Sequence, residues 1–127
     1  MKARIKSQIA SFGHAISGIG TLVSTQPHAR FHGLATLLAV GLGFFLRLST
    51  FEWAGILGAV AMVWVAEALN TAIEFLADEV TLERKPLIKK AKDTAAGAVL
   101  IAACCAALIG SLIFIPHVSS FFETSTK

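Results

Sequence analysis

Three apolar runs with short polar breaks between them dominate the chain. They are Phe31 to Leu48, the first part of a segment from about Phe51 to Glu79, and Thr94 to Ile115. Each is about as long as a helix that crosses a ~30 Å hydrocarbon core at ~1.5 Å per residue. The chain has 127 residues, 55% of them hydrophobic and 15% charged. A soluble domain of this size needs far more charge on its surface, so the apolar excess must face lipid. The expectation is one all-α integral membrane domain over 1–127, with helices over about 31–48, 51–79 and 86–115 holding three spans.

The segment ahead of the first run reads differently. Ile5, Ile9, Phe12, Ile16, Ile19 and Val23 recur at steps of four, three, four, three and four, which is one face of an α-helix. Lys6, Gln8, Ser11, His14, Ser17 and Thr21 take the other side. A basic amphipathic helix over 1–25 lies in the membrane interface rather than across it. Met1 to Thr25 has no sustained apolar run followed by a small-residue cleavage pattern, so no cleavable signal peptide is expected. Ser24-Thr25-Gln26-Pro27 breaks this helix, because Pro27 cannot donate and restrains Gln26. Ser49 and Glu52 have the spacing of a capping box, which starts the next helix after a very tight turn. Val80 to Lys85 reads as a loop, and Pro86 suits the first turn of the last helix. Pro116 is expected to end that helix, leaving 117–127 as a polar, frayed tail.

Charge placement sets the orientation. Lys2, Arg4, Lys6, Arg30, Arg84, Lys85, Lys89, Lys90 and Lys92 share one side, and only Arg47 and Lys127 fall opposite. The positive-inside rule puts the amphipathic helix and the Arg84–Lys92 stretch in the cytoplasm, and three spans then leave the C-terminus outside. Trp53 fits an outer interfacial belt. The basic stretch has no interleaved aromatic residues and is flanked by apolar helices, so nucleic acid is not expected as a partner. Gly41, Gly55 with Ala59, and Ala98, Ala102, Ala106 and Gly110 recur at helix-packing spacing, and self-association is expected. Cys104 and Cys105 are adjacent on a helix, point ~100° apart, and lack metal-ligand spacing. They read as small core or lipid-facing residues.

The segment that carries chemistry is Glu67-Ala-Leu-Asn70-Thr-Ala-Ile-Glu74-Phe-Leu-Ala-Asp78. Its polar residues fall on one helix face. An ionisable group as deep as Glu67 costs ~2.5–3.5 kcal/mol to insert, so it should have a use. Lys92-Asp93 opens the next helix at similar depth. Three readings fit this pattern. Carboxylates can hold Mg²⁺ beside nucleotide phosphates, with a deeper carboxylate as base for a lipid hydroxyl and lysine offsetting phosphate charge. A lone Glu67 can also bind a proton or ion in turn, as in a coupled transporter. The same residues can simply tie a structural oligomer together through interhelical hydrogen bonds. Neither G-x-x-x-x-G-K-[ST] nor G-x-G-x-x-G occurs, so any ATP site must be built from helix-borne residues.

Glu67-Ala-Leu-Asn70-Thr-Ala-Ile-Glu74 with Asp78, then Ala91-Lys92-Asp93 and Ala96-Gly-Ala98-Val-Leu, resembles the small prokaryotic diacylglycerol kinase and undecaprenol kinase family. The resemblance begins near Phe12-Gly-His-Ala15-Ile-Ser-Gly18, includes Ala29-Arg30-Phe31-His32, and runs to about Pro116. It implies a homotrimer in the prokaryotic inner membrane, with active sites shared between subunits on the cytoplasmic side. It also implies transfer of the γ-phosphate of ATP, with Mg²⁺, to the primary hydroxyl of diacylglycerol or undecaprenol. Glu67 resembles the catalytic base, Asn70 a residue that positions the reacting groups, and Glu74 a Mg²⁺ ligand that also contacts ATP. Lys92 and Asp93 resemble nucleotide-binding residues, Glu83 falls in the loop over the nucleotide, and His14 belongs to the opening motif as a further nucleotide contact. The sequence departs from the family at three places. Gln26 stands where a second Glu ligand is common, and its amide oxygen can accept a metal but brings no charge. Lys85 replaces a His before Pro-Leu, and Gly20 stands where a basic residue is common.

Overall fold

The computed structural model describes residues 1–125, without the side chains of Lys2, Ala3, Phe121, Phe122, Thr124 and Ser125. The side chain of Lys2 and the whole of Lys127, both used above for orientation, lie outside the described residues. The described residues form four helices: α1 Lys2–Thr25, α2 Pro27–Phe45, α3 Thr50–Val80 and α4 Pro86–Ser125. The main packing is α3 against α4, with α2 on α3 and α1 touching both α2 and α3.

Each junction has a local cause. Gln26 is extended, with φ −103° and ψ 114°, and Pro27 opens α2 at a position where its missing N–H costs nothing. The Arg30 guanidinium then donates to the Val23 carbonyl at 3.1 Å and the Ser24 carbonyl at 2.6 Å, groups left open at the end of α1. At the end of α2, Leu48 N–H donates to Gly43 O at 3.1 Å and Arg47 N–H to Phe44 O at 3.2 Å. This is a Schellman ending in which Arg47, at φ 55°, occupies the left-handed position that glycine usually takes. The Ser49–Glu52 capping box forms in both directions and starts α3 at once. Trp53, on the first turn of α3, packs back on Phe44 with ring centroids 4.8 Å apart.

The structure corrects one expected boundary: α4 does not stop at Pro116 but continues to Ser125. Proline removes one backbone donor, and the helix survives where other groups take up the freed carbonyls. The His117 imidazole Nδ1 lies 3.0 Å from Ile113 O, one residue from the carbonyl that Pro116 leaves open. Beyond it, Ser119 and Ser120 hydroxyls donate to Pro116 O and His117 O. The same imidazole faces Glu52, with Nε2 3.5 Å from Oε1, so the second half of α4 is tied to the start of α3.

Burial is inverted relative to a soluble domain. The buried set is mostly small, including Ala29, Ala59, Ala77, Ala95 and Ala102, while Phe31, Leu37, Phe45, Leu100, Ile101 and Leu112 are exposed. Among the described residues α3 and α4 are long and apolar enough to cross a membrane, and only 6% of the most apolar stretch of α4 is buried. That exposure is consistent with a membrane protein, whose apolar side chains face lipid. The apolar stripe of α1 stays largely exposed, at Ile5, Ile9, Phe12, Ile16 and Ile19, while Ala15, Gly18, Ile19 and Leu22 line a cavity between α1 and α3. Of the small residues expected at contacts, Gly55 approaches Ile113 of α4 closely, whereas nothing lies near Gly41. Cys104 is exposed and Cys105 half-buried, both as free thiols.

Gly43 is the tightest point. A Cβ there would lie 2.9 Å from Trp53 Cη2 and 3.2 Å from Leu48 Cδ1. The indole is rigid and cannot yield by rotating a flexible tip. Gly43→Ala should therefore destabilise the fold by about 1–3 kcal/mol, read as a lower melting temperature in detergent. An unchanged melting temperature would show that the α2–α3 corner is looser than this geometry.

Candidate active site

The polar side chains of α3 descend in order from the middle of the helix to its end at the 81–85 loop. Glu67 is 2% exposed. Among the described residues its carboxylate has no hydrogen-bond or ion-pair partner. Two turns on, Glu74 gathers two amides. Asn70 Nδ2 donates to its Oε1 at 3.2 Å, and Gln26 Nε2 donates to its Oε2 at 3.4 Å. Gln26 arrives here because the break between α1 and α2 falls against α3. One further turn on, Asp78 Oδ1 accepts from Lys92 Nζ at 2.9 Å, which joins α3 to α4. Glu74 also lies within electrostatic reach of Lys92, so the two groups of residues form one continuous polar track.

The loop end completes it. Lys89 pairs with Asp93 one turn along α4, and Lys85 lies 3.9 Å from Glu83. Glu83 N–H donates to Thr81 Oγ1 at 3.1 Å, which shapes the turn. Between the end of α3, this loop and the start of α4 is a pocket of about 650 Å³, whose charged walls include Asp78, Glu83, Lys85, Lys89 and Lys92. A second, apolar groove of about 950 Å³ runs along α3 and α4, with Asn70, Lys90 and Thr94 as its polar groups.

The structure thus brings Gln26, Asn70 and Glu74 together, and Lys92, Asp93 and Glu83 around one pocket. It does not bring His14 to either group. His14 is exposed on α1 and, among the described residues, has no polar partner. Two residues gain a place that the sequence did not give them. Asp78 was part of the polar stripe without a role, and it is the partner of Lys92. Thr71 is buried, and its i+4 spacing from Glu67 was the only signal available.

The donor set suits a magnesium ion. Among the described residues no three His, Cys, Asp or Glu side chains converge. Mg²⁺ does not need them, because it keeps waters and takes phosphate oxygens beside one or two carboxylates. Glu74 supplies a carboxylate, and the Gln26 amide can turn its oxygen inward. Asn70 Oδ1 is buried without a hydrogen bond, so a polar acceptor already waits beside Glu74.

Comparison with known proteins decides between the open readings. The model of the prokaryotic diacylglycerol kinase family matches residues 13–114. The chain belongs to that family. It is 42% identical over 106 residues to an undecaprenol kinase of Bacillus subtilis, covering 84% of this chain and 86% of that one. It is 33% identical over 113 residues to a diacylglycerol kinase of Synechocystis sp., covering 88% of this chain and 65% of that longer one. A diacylglycerol kinase of Escherichia coli is 29% identical over 109 residues, with 86% and 89% covered. The family member described here is a lipid kinase, a phosphotransferase with an alcohol acceptor, and not a coupled transporter or a purely structural oligomer.

A buried carboxylate without a partner lowers stability in exchange for function. Glu67→Gln should therefore leave the melting temperature in detergent unchanged or raise it. A drop of several degrees would mean that the carboxylate holds the fold through a partner the structure lacks.

Proposed function

We propose that the chain is an ATP-dependent kinase that phosphorylates the primary hydroxyl of a membrane lipid at the cytoplasmic face of a prokaryotic inner membrane. The observation that carries this reading is the buried, unpartnered Glu67 carboxylate, two helical turns from the Gln26–Asn70–Glu74 group. In this reading α2, α3 and α4 cross the membrane. At 19 residues α2 is roughly 28 Å long, close to the hydrocarbon thickness. α1 lies in the interface with its isoleucine stripe toward lipid. Three copies assemble with shared sites, and the apolar groove beside Asn70 supports a neighbouring helix at that position.

The chemistry follows from placement. The 650 Å³ pocket receives the nucleotide, with Lys92 and its neighbouring lysines offsetting phosphate charge and Asp93 and Glu83 contacting the rest of ATP. Glu74 and Gln26 would hold Mg²⁺. When bound, the ion screens the negative charge of the phosphates from the attacking oxygen. Asn70 holds the reacting groups in line. Glu67 takes the proton of the lipid hydroxyl as its oxygen attacks. Among acceptors we favour undecaprenol, because the relative named for that substrate is the more similar at 42% identity, against 33% and 29% for two named for diacylglycerol.

The test is phosphate transfer from labelled ATP by purified protein in lipid, with undecaprenol and diacylglycerol in parallel. Labelled lipid is expected with both or with undecaprenol alone, undecaprenol turning over faster, and none with Glu67→Gln. No product with either lipid, from folded protein, would overturn the reading; full turnover by Glu67→Gln would remove only the base. In the same assay Glu74→Ala should raise the Mg²⁺ requirement by about tenfold or more. An unchanged Mg²⁺ dependence takes Glu74 out of the metal site.

A further inference from the structure

Thr71 is the buried polar residue of α3 that the scheme above leaves unused. It is 4% exposed, and its hydroxyl has no hydrogen-bond partner. That is unusual within this chain. Thr21, Thr25, Thr36 and Thr94 each donate to the carbonyl one turn back, at 3.1, 2.8, 2.8 and 2.8 Å. A helical threonine has two accessible rotamers, and the back-bonded one is the simple way to satisfy a hydroxyl in an apolar setting. Thr71 forgoes that bond.

Its position explains what the hydroxyl could serve. At ~100° per residue, Glu67 and Glu74 lie within ~20° of one line along α3, separated by ~10 Å of rise. Asn70 sits ~60° to one side of Glu67 and Thr71 ~40° to the other. Asn70 lines the groove toward α4, whereas Thr71 lines a cavity of about 380 Å³ between α1 and α3. The acceptor oxygen must lie between the base and the phosphate group that Glu74 serves. Asn70 and Thr71 therefore flank that place from opposite sides, and each carries a buried oxygen without a partner.

We propose that Thr71 is an acceptor-binding residue, whose hydroxyl donates a hydrogen bond to the reacting oxygen of the lipid alcohol from the α1 side. This rests on the lipid kinase reading. An alcohol oxygen has one proton and two lone pairs. The proton goes to Glu67, and one lone pair forms the new bond to the γ-phosphorus. The bond from that phosphorus to the bridging oxygen of ATP breaks, and its electron pair leaves on ADP. The second lone pair accepts from Thr71, which fixes the rotation of the alcohol so that the first lone pair faces phosphorus. Thr71 is thus the counterpart of Asn70, and its empty hydrogen bond is filled only by substrate.

The test compares Thr71→Val, which keeps shape and removes the hydroxyl, with Thr71→Ser, which keeps the hydroxyl. Thr71→Ala is run beside them in case valine misfolds, and melting temperature and oligomer size are checked for each. Thr71→Val and Thr71→Ala should lower kcat/KM for the lipid by about tenfold and leave KM for ATP unchanged, with Thr71→Ser within about threefold of the unaltered protein. Lipid kcat/KM within about twofold in folded Thr71→Val overturns the proposal, as does a serine variant as impaired as the valine one. A rise in KM for ATP that matches the loss toward lipid also overturns it, because it indicates a merely structural role. If the unaltered protein phosphorylates no lipid, the kinase reading fails and this assignment falls with it. If it does and Thr71→Val matches it, only Thr71 is wrong.

Discussion

A helix within a bilayer satisfies its own backbone, so the polar side chains it carries are the groups left to find partners there. In this chain the deepest carboxylates, Glu67 and Glu74, sit on α3. Partners come to Glu74 and Asp78 from elsewhere in the fold: Gln26 from the α1–α2 break and Lys92 from α4. The rest of the architecture is arranged around that supply. The extended Gln26 and the proline after it place an amide against Glu74, and the short 81–85 loop returns the chain so that Lys92 meets Asp78. Where no partner is supplied, at Glu67 and Thr71, the fold carries an uncompensated cost, and that is where chemistry is to be expected.

Close approach is achieved with small residues. Alanines fill much of the buried set, and glycines admit Trp53 at Gly43 and Ile113 at Gly55. In lipid, large aliphatic side chains gain little by turning inward, because hydrocarbon surrounds them on either side. Tight backbone contact matters more, since it sets the register between α3 and α4 and so the height at which Lys92 meets the acids.

Much of this was legible in the sequence. The four helices follow from apolar period, Pro27, Pro86 and the Ser49–Glu52 box, and the polar stripe from Glu67 to Asp78 is a matter of spacing. The continuation of α4 beyond Pro116 was not legible, because it depends on His117 and on serine hydroxyls bonding back to carbonyls near the break. Which side of α1 docks on α3 was not legible either. Periodicity identifies an apolar face, and the cavity between α1 and α3 is lined by Ala15, Gly18, Ile19, Thr21 and Leu22, which lie partly off that face. His14 illustrates a further limit: resemblance carries a residue type to a position, while distance to Glu74 depends on how α1 docks.

The two ends of the helix bundle are tied differently. At the turn end, α2 and α3 are joined by a Schellman turn with Trp53 wedged on Gly43, and α4 is held by Gly55 packing and the His117–Glu52 contact. At the loop end, α3 and α4 are joined by the short 81–85 loop and by one part-exposed ion pair, Lys92–Asp78. Such pairs exchange readily for phosphate, whereas the packed turn does not. The two helices are joined covalently at the loop end, so a guest there displaces ion-pair partners within a span fixed by five residues, while the packing at the far end keeps its register.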